Sequence, residues 1–161
     1  MISDAVLEEA AALLAGCRAR GWMLATAESC TGGLIAATLT AVPGASDVVD
    51  RGFVIYSNDA KMELLGVQQT MLAAHGAISE PVVCAMAEGA LTRSRATITV
   101  AVTGLAGPGG GSVEKPVGLV WFGLAQRGHE VHSENVVFPG DRTAIRAAAV
   151  THAFRLIRGR L

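Results

Sequence analysis

Side chains able to perform acyl-transfer chemistry stand where two apolar segments of the chain end. Ser29 follows the apolar run of residues 22–28 and opens a Ser-Cys-Thr-Gly-Gly turn. Tyr56 closes a second run, residues 52–57, and Lys61 follows it closely. A serine hydroxyl is a weak nucleophile until a base removes its proton, and a desolvated lysine can act as that base. These residue types therefore fit a Ser-Lys hydrolytic site.

The same residues also have purely structural explanations. Ser29 or Thr31 can be only the N-cap of the helix that follows, and the two glycines of the turn can serve close packing. In the functional alternative, the free N–H groups at the start of that helix bind an anion or a developing oxyanion. Lys61 can equally be a solvated lysine in a first helical turn, and Tyr56 a half-buried tyrosine.

Glycine, at 19 of 161 residues, is concentrated in residues 104–111, directly after Thr103. Glycine-rich backbone can approach a phosphate or another ligand closely, although such a loop can also be a mobile connection. Lys115 lies outside the loop and precedes Pro116, so the spacing of an ATP-binding P-loop is absent. A strand rather than a helix is predicted to follow, which also argues against a Rossmann fingerprint.

Arginine, cysteine and histidine side chains could also take part in binding or catalysis. Arg142 is predicted in the first turn of the last helix, where a guanidinium can bind a phosphate, although most such arginines are solvated; Arg146 lies one turn further on. Cys30 can be a thiol nucleophile, but no histidine near it in the sequence supports that role. The four histidines lack metal-ligand spacing, so we expect neither a metal nor a cofactor.

The elements that position these residues alternate between helix and strand. Strands are predicted over residues 22–28, 52–57, 97–103, 117–125 and 130–138, and helices over 4–20, 34–39, 58–65 with Asn58 as N-cap, 79–93 and from Asp141 onward. The last two strands read as a hairpin. The pattern predicts an α/β fold, a three-layer α/β/α sandwich with a mixed, mostly parallel sheet and one late β-hairpin. Ligands of such sheets bind beyond the carboxyl ends of the strands.

Composition limits the class of protein. With 51% hydrophobic and 17% charged residues and a net charge of −1, the chain is neither disordered nor a general nucleic-acid binder. Its length predicts one domain, residues 1–161. Acidic residues near the N-terminus, the lack of an uninterrupted apolar span and three cysteines without C-x-x-C spacing favour a soluble protein of the cytoplasm.

Four separated segments together resemble the CinA C-terminal domain family, the bacterial nicotinamide-nucleotide amidohydrolases. They are Ala-Glu-Ser-Cys-Thr-Gly-Gly at 27–33, Tyr-Ser-Asn-Asp-Ala-Lys at 56–61, Thr-Gly-Leu-Ala-Gly-Pro-Gly-Gly at 103–110 with Lys-Pro-Val-Gly at 115–118, and Phe-Pro-Gly-Asp-Arg at 138–142. The resemblance covers nearly the whole chain. Its one minor variation is Leu105, where isoleucine is common in the family.

This resemblance implies hydrolysis of the carboxamide of nicotinamide mononucleotide to nicotinate mononucleotide and ammonia, in pyridine-nucleotide salvage. By motif position Ser29 is the nucleophile, Lys61 its base partner, and Tyr56 and Thr103 members of the same site. The substrate-binding residues of this hypothesis are Cys30, Thr31, Gly32, Gly33, Gly104, Gly107, Gly109, Gly110 and Arg142. The resemblance also implies a homodimer and the stand-alone form of the domain.

Two other functions remain open at this point. One is a nucleotide-binding or regulatory module that keeps the pocket without turnover. The other is an amidase for a different small carboxamide.

Overall fold

The computed structural model describes residues 2–161, which form six α-helices, one short 3-10 helix at Ala45–Asp47 and five β-strands. The helices are α1 (Asp4–Ala19), α2 (Leu34–Thr40), α3 (Asn58–Leu65), α4 (Gln69–His75), α5 (Glu80–Thr92) and α6 (Arg142–Arg158). The strands are β1 (Leu24–Glu28), β2 (Val49–Val54), β3 (Ile98–Gly104), β4 (Leu119–Gln126) and β5 (His132–Val137). Within residues 2–161, none of the helices is long and apolar enough to cross a membrane.

The five strands form one sheet in the order β2-β1-β3-β4-β5. β1 pairs parallel with β2 and with β3, whereas β4 pairs antiparallel with β3 and with β5. Four strands therefore run in one direction and β4 alone runs against them. The predicted mixed, mostly parallel sheet with a late hairpin is confirmed.

Helices cover both faces of the sheet, and β3 shows why. Its large side chains, Ile98, Val100 and Val102, belong to the core shared with α1, α2 and α6. The alternate residue Ala101 belongs to a second core with α3 and α5, and Thr99 Oγ1 donates to the Ala87 carbonyl of α5. Since side chains alternate along a strand, two different cores form on the two faces and give the predicted three layers.

The second strand differs from its prediction. The sequence predicts it over residues 52–57, whereas β2 begins three residues earlier and ends at Val54. Its partner β1 ends at Glu28, which lies opposite Val54. Beyond Val54, β2 therefore has no residue of β1 to pair with. The Ile55 N–H donates one last bond to the Glu28 carbonyl at 2.9 Å, after which the chain turns into α3.

The N-cap of α3 is also one residue away from the prediction. Ser57, not Asn58, is the cap residue, and its Oγ accepts a bond from the Ala60 N–H at 3.0 Å. Gly66 ends the helix in the left-handed conformation, with φ of 71°. The helix between these two caps presents Lys61 to the interior.

Helix α5 lies unusually close to the end of α3. A Cβ atom placed on Gly89 of α5 would overlap the carbonyl oxygen of Leu65 in α3. Glycine at this position therefore allows the two helices to meet, and through that contact α5 supports the helix that carries Lys61.

We expect Gly89→Ala to destabilise the protein, because the methyl group would force α5 away from α3. Overpacking of this kind costs about 1–3 kcal/mol, which urea unfolding will measure. Gly159→Ala is the matched control, since a Cβ atom there meets neighbours only at ordinary contact distances, the nearest at 3.4 Å. Equal stability of the two variants would contradict this account of the contact.

Candidate active site

Ser29 stands where β1 passes into a tight turn. Its N–H donates to the Val102 carbonyl of β3 at 2.9 Å, which extends the sheet by one residue. Its carbonyl accepts a bond from the Gly32 N–H at 3.0 Å, so the chain reverses at once. Gly32 and Gly33 have φ of 59° and 96°, a region that favours glycine. The hydroxyl of Ser29 is thereby held at the carboxyl edge of the sheet.

The carboxylate of Glu28, fully buried, caps the helix that follows the turn. Its Oε2 accepts bonds from the N–H groups of Gly33 at 3.1 Å and Ile35 at 3.0 Å. Its Oε1 accepts bonds from the Ala36 N–H at 2.8 Å and the Thr26 hydroxyl at 3.2 Å. These amides of the first turn of α2 are thus already occupied. The alternative in which these three helix amides are free to bind a substrate anion is therefore wrong.

Arg146 of α6 holds the same turn from the other side. Its Nε donates to the Cys30 carbonyl at 3.1 Å and its Nη2 donates to the Thr31 carbonyl at 3.0 Å. Arg146 borders a groove between α1, α2 and α6, and it is not among the residues that line the cavity at Ser29. Glu28 therefore holds the amides at the start of α2, and Arg146, distant in the chain, holds two carbonyls of the turn.

Lys61 is buried, with 1% of its surface exposed, and its Nζ donates to Ser29 Oγ at 3.2 Å and to the Ile55 carbonyl at 3.1 Å. Burial lowers the pKa of Lys61 below its ordinary value of 10.5, an effect that the nearby Cys30 thiol partly opposes. The alternative of a solvated first-turn lysine is therefore wrong. A desolvated lysine in contact with a serine hydroxyl has the arrangement that a Ser-Lys nucleophile requires.

Cys30 lies beside these groups but has the wrong acidity for a nucleophile. Burial raises the pKa of its thiol to about 11, so the thiol stays protonated at neutral pH. The thiolate is the reactive form of cysteine, and the contacts therefore favour Ser29 over Cys30.

A cavity of about 270 Å³ opens over Ser29 and Lys61. Nine of the residues singled out from the sequence line it, namely Ser29, Cys30, Tyr56, Lys61, Thr103, Gly104, Gly107, Gly109 and Arg142. The other four, Thr31, Gly32, Gly33 and Gly110, are not among its lining residues. The structure thus brings together residues from three strand exits and from the start of α6.

The cavity walls are tied together by polar contacts. Thr103 Oγ1 donates to the Ala77 carbonyl at 2.9 Å, which fixes the segment between α4 and α5. Arg142 donates from Nη1 to the Gly107 carbonyl at 2.9 Å and from Nη2 to the hydroxyl of Tyr56 at 3.0 Å. Tyr56 is 61% exposed, and its hydroxyl lies against Arg142 rather than against Ser29 or Lys61. Arg142 thus bridges the glycine loop and the segment after β2.

Within residues 2–161, no group of three or more histidine, cysteine or carboxylate side chains is arranged to hold a metal ion. His132 and His152 instead both contact the carboxylate of Glu134, at 2.9 Å and 2.6 Å. Glu134 thus connects its neighbour His132 in β5 with His152 in α6, and none of these three residues lines the cavity.

Residues 6–161 match the CinA C-terminal domain. The chain belongs to this family. It is 49% identical over 140 residues to the nicotinamide-nucleotide amidohydrolase PncC of Escherichia coli, an alignment that covers 87% of the chain and 85% of that protein. The chain is also similar to the crystal structure of the competence/damage inducible protein CihA from Agrobacterium tumefaciens, to which it is 47% identical. The superposition covers 99% of this chain and 97% of that protein, with a TM-score of 0.96.

Other members of the CinA family are much longer. A CinA-like protein from Akkermansia muciniphila is 59% identical over 122 residues, which cover 76% of this chain and 30% of that protein. The chain spans about a third of the length of such relatives. The part of the chain that matches the family, residues 6–161, contains the cavity and the turn at Ser29.

Sequence reasoning missed two features of this CinA-family site. Glu28 ends β1 as predicted, but its capping of α2 was not predicted. Ile55 was predicted within the second strand, whereas it lies after β2 and offers its carbonyl to Lys61. One signal for Glu28 was present in the sequence. It is a charged residue ending an apolar segment, ahead of a helix whose N-cap, Gly33, has no side chain to offer.

The pKa of Lys61 predicts how stability changes with pH. Because folding lowers this pKa, the unfolded chain binds more protons than the folded one between the lowered pKa and 10.5. The free energy of unfolding of the wild type, relative to Lys61→Met, should therefore rise with pH in that window, by at most about 1.4 kcal/mol per pH unit.

Urea unfolding at a series of pH values will measure this difference. Lys115→Met removes a lysine outside the cavity and is the matched control for effects common to the loss of any lysine. A relative stability that falls as the pH rises would contradict the assignment.

Proposed function

We propose that this chain is a nicotinamide-nucleotide amidohydrolase, which converts nicotinamide mononucleotide and water to nicotinate mononucleotide and ammonia in pyridine-nucleotide salvage. The observation that carries the proposal is the contact of 3.2 Å between the buried Lys61 Nζ and Ser29 Oγ at the base of a ligand-sized cavity. The Escherichia coli relative, named a nicotinamide-nucleotide amidohydrolase, supports this choice of substrate. The two sequences are 49% identical, and the alignment covers 85% of that relative.

In the proposed mechanism, neutral Lys61 removes the proton of Ser29 Oγ while that oxygen attacks the carboxamide carbon. The tetrahedral intermediate collapses when its nitrogen takes the proton from Lys61 and leaves as ammonia. An ester of Ser29 remains. Water then loses a proton to Lys61 and attacks this ester, and Ser29 takes up that proton as the carboxylic acid product departs. The acid ionises in solvent, where ammonia takes up its proton. Each proton removed is returned, so the enzyme ends as it began.

The lowered pKa of Lys61 suits this mechanism. A free lysine is almost entirely protonated at neutral pH and cannot accept a proton. Burial makes the charged form less stable and so increases the fraction of neutral amine. A base whose pKa approaches the working pH is also the most efficient in proton transfer.

The backbone amide of Cys30 is suited to bind the oxyanion of the intermediate. Cys30 lines the cavity, and its N–H donates no hydrogen bond to any group within residues 2–161, whereas the Gly32 N–H already donates to Ser29. A preorganised backbone N–H beside the nucleophile can stabilise the charge that develops on the substrate oxygen. The oxyanion site in this proposal is therefore the amide directly after Ser29.

Arg142 and the glycine loop are proposed to bind the nucleotide part of the substrate. Arg142 uses one N–H for Gly107 and one for Tyr56, which leaves three of its five donors for a phosphate. Tyr56 in this scheme orients Arg142 and the substrate, since its hydroxyl contacts that guanidinium. Thr103 keeps the wall of the cavity in place through its bond to Ala77.

We also propose that the protein works in the cytoplasm as a homodimer. Cys17, Cys30 and Cys84 are all free thiols, which a reducing compartment preserves. Val54 and Tyr56 expose much of their apolar surface near the cavity, and a partner subunit would cover it.

Ser29→Ala is expected to abolish the release of ammonia from nicotinamide mononucleotide, with kcat lowered at least about 10³-fold, because the covalent intermediate cannot form. A discontinuous ammonia assay measures the rate. Ser46→Ala, an exposed serine outside the cavity, is the matched control and should retain full activity.

Measurements on the wild type and on Ser29→Ala also distinguish an enzyme from a binding module. Calorimetric binding of the mononucleotide by the wild type without any ammonia release would favour the module. Unchanged turnover in Ser29→Ala would refute the role of the serine.

Arg142→Ala is expected to raise the KM for nicotinamide mononucleotide about 10- to 100-fold, as for a lost bond between charged groups, and to change the KM for the riboside little. Steady-state kinetics on the mononucleotide, the riboside and free nicotinamide will measure this. Arg155→Ala, an exposed arginine later in α6, is the matched control. Equal wild-type activity on all three compounds would instead favour an amidase for another small carboxamide.

A further inference from the structure

We propose that Asn58 is a specificity-determining residue, whose side-chain amide binds the 2′ and 3′ hydroxyl groups of the ribose in the mononucleotide. This inference rests on the proposed function, since it names the part of the same site that contacts the sugar. Asn58 lines the cavity over Ser29 and is the first residue of α3, the helix that carries Lys61. No step of the proposed mechanism uses it.

The side-chain amide of Asn58 is available to a ligand. The N-cap of α3 is Ser57, whose Oγ accepts the bond from the Ala60 N–H, so the helix does not use the Asn58 side chain. The other cavity-lining side chains that carry oxygen or nitrogen hydrogen-bond to one another or to backbone carbonyls. Within residues 2–161 the Asn58 side chain makes no such bond, and its acceptor oxygen and donor NH2 group face no competitor.

The place of Asn58 along the cavity follows from its neighbours in the chain. Lys61, 1% exposed, contacts Ser29 at the base of the cavity, where the carboxamide must lie to react. Tyr56, 61% exposed, accepts a bond from Arg142, the residue proposed to bind the phosphate. Asn58 lies between these two ends of one wall. It precedes Lys61 by three residues in the helix, so the two Cβ atoms are about 5–6 Å apart on one side of α3.

The parts of the substrate follow the same order as this wall. In nicotinamide mononucleotide the ribose joins the pyridine ring, which carries the carboxamide, to the phosphate. With the carboxamide at Ser29 and the phosphate at Arg142, the ribose must pass Asn58. The ribose presents two adjacent hydroxyls, each able to donate and to accept a hydrogen bond. A planar amide, with an acceptor and a donor side by side, can bond to both hydroxyls.

A neutral amide also suits the charges around it. In dinucleotide-binding folds a carboxylate commonly binds the ribose hydroxyl. A carboxylate in the place of Asn58 would lie one helical turn from Lys61 and would stabilise its protonated form, in which it cannot act as a base. It would also repel the phosphate. The amide makes the same bonds to the hydroxyls without either effect.

Substrates that lack one ribose hydroxyl test the proposal. Ammonia release from nicotinamide mononucleotide is compared with release from its 2′-deoxy and 3′-deoxy analogues, in the wild type and in Asn58→Ala. We expect kcat/KM of the wild type to fall about 3- to 10-fold for each analogue, as for the loss of one neutral hydrogen bond. Asn58→Ala should lower kcat/KM for the full substrate about 10- to 50-fold and act on the three compounds alike, within about twofold.

Two further variants serve as controls. Asn135→Ala removes the other asparagine of the chain, an exposed residue of β5 outside the cavity lining, and should match the wild type on all three compounds. Asn58→Leu keeps the bulk of the side chain without its hydrogen-bonding groups. It should lose the preference for the hydroxyls as completely as Asn58→Ala does.

The outcomes separate the alternatives. A purely structural role of Asn58 predicts a loss of activity in Asn58→Ala with the preference for the ribose hydroxyls intact, and that result would overturn the proposal. A wild type that turns over all three compounds equally would overturn it as well. A wild type that releases no ammonia refutes the proposed function itself. Calorimetric binding of the three mononucleotides to the wild type and to Asn58→Ala then still decides the role of Asn58.

Discussion

The arrangement of the site depends on one buried carboxylate. Glu28 ends an inner strand of the sheet inside the protein, and an unpaired carboxylate there would cost several kcal/mol. Three amides and one hydroxyl satisfy it, and each bond to a charged acceptor is worth about 1.5–3 kcal/mol. Since these donors belong to the start of α2, the helix can begin only where the carboxylate is. The turn between them, with Ser29, has little freedom left.

A second buried charge lies on the other side of Ser29 and behaves differently. The carboxylate of Glu28 has donors that stabilise its charge, whereas Lys61 contacts only a hydroxyl and a carbonyl oxygen. Its charge is therefore poorly compensated, and burial lowers its pKa. Burial therefore presses Lys61 toward its neutral form. This contrast separates a group that builds the site from a group that can take up a proton.

The α/β architecture and the grouping of Ser29, Lys61 and Thr103 could be predicted, because strand exits on one sheet edge converge whatever the loops between them do. Long-range partners could not be predicted. The end of β2 depends on where β1 stops, and the occupation of the α2 amides depends on the side chain of Glu28 turning back toward them. Local patterns report which residues favour an element, but not which of its polar groups are already bonded. For the same reason, the contacts of Arg146 with the turn could not be predicted.

The contact between Arg146 and the Cys30 carbonyl joins residues 116 positions apart. A ribosome releases the turn with Ser29 long before it releases α6, so every unfinished chain carries the nucleophile without the helix that holds its carbonyls. The last helix also brings Arg142 to the cavity. Synthesis therefore completes the site, and the core that α6 shares with α1 and α2, only at its end. A nascent or truncated chain without α6 has the serine but an unfinished place for its substrate.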